Sequence, residues 1–221
     1  MKLSGDIQSR LAAHMRDKIT IKTSGEVPFY LLVRHPEKAV VVEQEVAGEA
    51  RVECSLPEGA LCIQWSLPTG LFQFLKSEMN ADGALLIWRD DGSRDGFFEA
   101  HVMECKKTVE QSTWNKALKQ LRWTLLRLRA LAGALGVPIQ RVTFYTAFRE
   151  DTLSSTSSRN PLVPRNTITS RFAEPDEIIE RPRRLLTAWE DDKIVFEGFE
   201  GHFVHHKIEL DDAGHGSVGL S

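Results

Sequence analysis

The sequence predicts an α/β protein with a β-rich N-terminal region, a central core of strands and one long helix, and an irregular C-terminal third. Three observations carry that expectation. Residues 19–65 hold short β-prone runs separated by turn residues. Residues 84–106 hold two apolar runs around a charged, glycine-containing turn, which is the pattern of a hairpin. Residues 111–135 carry a helical apolar period that stops at Gly136 and Pro138, and another β-prone run follows. A chain of 221 residues holds one well-buried core, or one core with an appendage.

Taken in order, Ser4 to Asp17 reads as a short amphipathic helix, with Ile7, Leu11 and Met15 on one face. Ile19–Thr23, Tyr30–Val33, Ala39–Val46, Ala50–Ser55 and Leu61–Trp65 read as the strands of an antiparallel meander, punctuated at Pro36, Gly48 and Pro57. Pro68-Thr69-Gly70 opens a short helix predicted over Leu71–Met79. Ala84–Trp88 and Phe97–Lys106 form the central hairpin. The long helix, Gln111–Leu135, takes Ser112 or Thr113 as its N-cap. Its apolar stripe is Trp114, Leu118, Leu121, Leu125, Leu128, Ala132 and Leu135. Arg141–Phe148 is the next strand. Asp151–Asn166, rich in Ser, Thr, Pro and Asn, reads as an exposed loop. Lys193–Phe203 and Val204–Leu210 are strand-like, and Gly214–Ser221 reads as a frayed tail. The expected segments are therefore 1–68, 69–150 and 151–221.

With 42% hydrophobic and 27% charged residues, the composition is that of an ordinary globular protein. No apolar run approaches the roughly 20 residues that cross a bilayer, so no membrane partner is expected. The N-terminus shows no signal-peptide core, which makes the cytoplasm the expected compartment. Cys54, Cys62 and Cys105 are odd in number and lack zinc-finger spacing, so all three read as buried hydrophobes. A net charge of −3 is not the basic surface of a protein that coats nucleic acid. It excludes less firmly a nuclease, whose metal site supplies its own carboxylates.

The chemistry concentrates in Asn80-Ala81-Asp82-Gly83, the apolar strand after it, and Glu104-Cys105-Lys106 at the end of the next. Glu104 and Lys106 are two apart on a strand and share a face. An acid and a lysine ending an apolar strand are costly unless they meet something polar. A hard cation, a phosphate and a water satisfy both. Antiparallel pairing brings Asp82 alongside.

This order of residues resembles the PD-(D/E)XK nuclease superfamily, and within it the phage-exonuclease-like branch. The resemblance runs from Leu71 to Phe148. It implies a restriction-endonuclease-like core, meaning a mixed sheet flanked by helices, and Mg²⁺- or Mn²⁺-dependent hydrolysis of phosphodiester bonds. It implies that Asp82 and Glu104 are metal ligands and that Lys106 is the catalytic lysine, orienting or helping to deprotonate the attacking water. Ala81 stands where the family often has proline. An upstream glutamate often joins the ligands, and Glu78 is the candidate. Some members add a helical glutamine, for which Gln120 is the candidate, although it lies about 115° from the centre of the apolar stripe.

The expected function is metal-dependent nuclease action, on DNA ahead of RNA, with a homodimer or a partner protein as further expectations. The alternative is a catalytically inactive subunit that uses the nuclease fold as a protein-interaction scaffold in a larger complex.

Other features take blander readings. Lys116, Lys119, Arg122, Arg127 and Arg129 line the polar flank of the long helix and, with Trp123, suit phosphate tracking, but a solvated face with a core tryptophan is favoured. Arg181, Arg183 and Arg184 read as a surface cluster, and Lys107 as solvent-facing. His202, His205 and His206 lack partners at metal-ligand spacing. His101 reads as packed on the face opposite Glu104. Asp90, Asp91 and Asp95 read as a solvated turn.

Overall fold

A computed structural model describes residues 30–34, 38–45, 48–58, 60–65, 79–89, 97–135, 138–154 and 188–220. The helices expected over 4–17 and 71–78, the strand at 19–23, Glu78, the turn acids Asp90, Asp91 and Asp95, most of the 151–166 loop and the arginines at 181–184 lie outside these residues.

The described chain is a mixed α/β fold of two sheets and one long helix. Its strands are β1 (Tyr30–Arg34), β2 (Ala39–Glu45), β3 (Gly48–Ser55), β4 (Leu61–Trp65), β5 (Gly83–Arg89), β6 (Phe97–Val109), β7 (Ile139–Asp151), β8 (Lys193–Ile194), β9 (Phe203–Glu209) and β10 (His215–Gly219). The helix α1 spans Gln111–Leu135. A seven-stranded sheet runs β1-β4-β5-β6-β7-β9-β8, and a three-stranded sheet runs β10-β3-β2. β6 and β7 are parallel, and α1 is the crossover that parallel neighbours require.

Alternation along the central strands explains the layers. Ala84, Leu86, Phe98, Ala100 and Val102 face α1 and pack on Trp114, Leu118, Leu121, Leu125 and Leu128. Leu85, Ile87, Met103 and Cys105 face the small sheet and pack on Val41, Val52 and Cys54. Because β5 and β6 are covered on both faces, they read as nearly continuous apolar runs. The three cysteines are free and buried, as expected. No described helix is long and apolar enough to cross a membrane.

Several expectations are corrected. The N-terminal strands do not form a meander: β1 pairs with β4, while β2 and β3 turn away as a hairpin in the other sheet. Strand propensity marks where strands lie, but packing of the Val41 face on β5 decides their partners. Of the tail expected to fray over Gly214–Ser221, residues 214–220 are ordered. His215–Gly219 forms β10, parallel to β3, and the Leu220 amide donates to the Ser55 carbonyl at 2.9 Å. Its small and polar residues carry no apolar period, so only a distant partner makes it a strand. The run Lys193–Phe203 breaks after two strand residues, because Gly198 and Gly201, with φ of 83° and 79°, turn the chain. At the start of α1, Glu110 holds the cap position, and its amide donates to Thr113 Oγ1 at 2.9 Å from the first turn. The large sheet joins β4 to β5 and β7 to β9.

Candidate metal centre

β5 and β6 pair antiparallel, with Gly83 opposite Met103. One more step of that register sets Asp82 opposite Glu104, a spacing at which directly opposed side chains touch. Glu104 alternates with Val102 along β6, on the side toward α1. Asp82 reaches across the strand end, and its Oδ2 accepts a hydrogen bond from the Cys105 amide at 2.6 Å. Lys106 donates to Glu104 Oε1 and, at 3.1 Å, to the Cys105 carbonyl. The structure thus brings Asp82, Glu104 and Lys106 together at one end of the hairpin.

Glu104 is fully buried, and its Oε2 has no hydrogen-bond partner. Burial and the neighbouring Asp82 push its carboxyl well above the ordinary value of 4.5, and Lys106 only partly offsets them. Burial also raises Asp82, against the Cys105 amide, and nearby Glu43 raises it further. A buried carboxylate oxygen without a donor is expensive, so this pair calls for a proton or a cation.

Gln120 does not reach the carboxylates. Its Nε2 donates to the Asn80 carbonyl at 3.0 Å, while its Oε1 is buried and unpaired. It acts with two residues further along the same face of α1. The Ala81 amide donates to Thr124 Oγ1 at 2.7 Å, and Arg127 donates to the Met79 carbonyl at 2.5 Å. Three side chains at i, i+4 and i+7 therefore clasp the backbone that leads into Asp82. Arg127, 3% exposed, belongs to this clasp and not to a phosphate track. Arg122 donates to the Glu197 carbonyl, and Arg129 lies over the Phe199 ring, so that flank is largely engaged within the fold. Thr124 and Arg127 were legible in principle as polar residues spaced one and two turns beyond Gln120.

The histidines serve the core. His101 shares a 3.0 Å hydrogen bond with the Tyr145 hydroxyl, and fully buried His205 shares one of 2.9 Å with Thr146, the register partner of Glu104 on β7. His206 lies against the Tyr145 ring, and His202 is exposed.

The donor set suits a hard cation: carboxylate oxygens, one of them buried and unpaired. Among the described residues, no three His, Cys, Asp or Glu side chains are gathered closely enough to hold a metal ion as they stand. The chain matches no family model, no curated protein and no solved structure.

Proposed function

We propose that the protein is a metal-dependent nuclease that hydrolyses phosphodiester bonds, with DNA favoured over RNA, on a restriction-endonuclease-like core. The observation that carries the reading is the unpaired, fully buried Oε2 of Glu104 beside Asp82 and Lys106. The parallel β6–β7 pair with its crossover helix supports the reading, while the other face of the sheet is covered, among the described residues, by the three-stranded sheet and not by a helix.

In this reading Asp82 and Glu104 hold Mg²⁺ or Mn²⁺. A bound cation supplies Lewis-acid polarisation of the phosphate and a more acidic water. Asp82 keeps one oxygen on the Cys105 amide, which fixes its direction. Lys106 donates to Glu104, and in this role its ammonium orients a water and offsets charge on the transition state. Gln120, Thr124 and Arg127 position Asp82 through the backbone without touching substrate.

Two observations favour the second reading, an inactive nuclease-fold subunit that binds a partner protein: Lys106 is closed onto Glu104, and no three-ligand cage is preformed among the described residues.

Purified protein with supercoiled plasmid or single-stranded DNA, in Mg²⁺, Mn²⁺ or EDTA, separates the two. Metal-dependent cutting that falls by at least ~100-fold in Lys106→Ala supports the nuclease. Absence of cutting in every condition, with no Mn²⁺-induced rise in melting temperature, supports the subunit.

A further inference from the structure

Charge is unevenly placed in this chain. Its net charge is −3, yet residues 111–135 carry Lys116, Lys119, Arg122, Arg127 and Arg129 and no acid. The three arginines are engaged within the fold, by the Glu197 carbonyl, the Met79 carbonyl and the Phe199 ring. The two lysines are not. Both are exposed, and among the described residues neither has an ion pair or a hydrogen bond.

Trp123 belongs with them. Sequence alone favours a core tryptophan at this position, but the side chain is only half-buried. It is neither part of the two hydrophobic cores nor packed against them. On α1, Lys116 and Lys119 are three apart, and Lys119 and Trp123 four apart, so the three side chains are neighbours on one ridge. Two contacts place that ridge. Thr113 Oγ1 donates to the Thr108 carbonyl at 2.9 Å, so the first turns of α1 lie at the end of β6 that carries Glu104 and Lys106. Gln120, one turn after Lys116, donates to the Asn80 carbonyl, so the ridge runs beside the segment that leads into Asp82.

Two ammonium groups without counter-charge suit the phosphates of a polyanion. An indole face beside them suits a base, and a base offers its own face when it is unpaired. We infer that Lys116, Lys119 and Trp123 form a binding ridge for a single strand of nucleic acid beside the Asp82–Glu104 end of the hairpin. The inference rests on the proposed nuclease reading and narrows its substrate to a strand whose bases are unpaired.

Fluorescence anisotropy with labelled single-stranded and duplex DNA, in EDTA and over a range of salt, tests it on the full chain. Lys116→Gln/Lys119→Gln, Trp123→Leu and Trp123→Phe are compared with the wild type and with Lys193→Gln, which removes the charge of an exposed lysine on β8. The expected result is single-strand affinity lowered at least ~10-fold in the double lysine variant, with the slope of log affinity against log salt smaller by about 0.7 per lost contact. Trp123→Leu loses at least ~5-fold on the single strand and less on the duplex, and Trp123→Phe recovers part of that loss. Lys193→Gln binds as the wild type does, and melting temperatures stay level because none of these side chains lies in a core. Wild-type binding by both the double lysine variant and Trp123→Leu overturns the ridge, and cutting by the wild type with Mg²⁺ or Mn²⁺ then leaves the nuclease reading standing. Equal losses on the two DNAs overturn the single-strand assignment. No binding of either DNA by the wild type overturns the inference. Binding that depends on the ridge, with no cutting in any metal, supports the ridge and ends the nuclease reading.

Discussion

Buried ionisable side chains set the chemistry of this chain, and they do so in two separate places. Glu104 and Asp82 are pushed upward by burial at the hairpin end, whereas His101 and His205 are pushed downward in the core, to about 4 and about 3. A base whose folded value lies below its ordinary 6.5 is neutral in the native state and charged in the unfolded state under acid. Its contribution to stability is complete above pH 6.5 and is lost as pH falls toward 3 to 4. The melting temperature should therefore fall as pH drops through that window. A His205→Gln variant should show a shallower fall. Equal slopes for the two proteins between pH 6.5 and 4 would remove His205 from the account. The carboxyls have the opposite sign: a raised Glu104 favours the metal-free fold below 4.5 and weakens it as pH rises.

Among the elements, α1 does two jobs with two faces. Its apolar stripe covers the large sheet through Trp114, Leu118, Leu121, Leu125 and Leu128. Its polar positions Gln120, Thr124 and Arg127 hold the backbone of Met79, Asn80 and Ala81. Thr124→Val keeps the shape and removes the acceptor for the Ala81 amide. The expected cost is ~1–3 kcal/mol in urea unfolding, together with weaker Mn²⁺ binding because Asp82 loses its fixed approach. Unchanged stability in Thr124→Val would show that the clasp does not hold this segment. The stripe of α1 was readable from periodicity alone. The clasp was not, because its partners are backbone groups about 40 residues earlier in the chain.

For the whole molecule, the decisive arrangement is the covering of the central strands on both sides. β10 closes the small sheet against β3, and the turn that delivers it depends on Gly214. That residue has φ of +86°, and a Cβ there would fall 2.2 Å from the Glu49 carbonyl oxygen. Gly214→Ala should destabilise the protein by at least ~2 kcal/mol, from the left-handed backbone and the clash together. Because β3 carries β2, and Val41 of β2 packs on Gly83 beside Asp82, the variant should also weaken Mn²⁺ binding more than its distance from Asp82 suggests. Retained stability and metal affinity would mean that β10 is dispensable to the small sheet.

The sequence by itself determined the α/β class, the β5–β6 hairpin, the bounds of α1 and the pairing of Asp82 with Glu104 and Lys106. These depend on local period and on a register that one hairpin sets. Tertiary structure alone decided that the N-terminal strands divide between two sheets, that the tail becomes β10, and that α1 clasps the backbone leading into Asp82. In each of these the residues are joined through packing and hydrogen bonds across long stretches of chain. Neither apolar period nor motif spacing carries information about which distant surface a strand will cover.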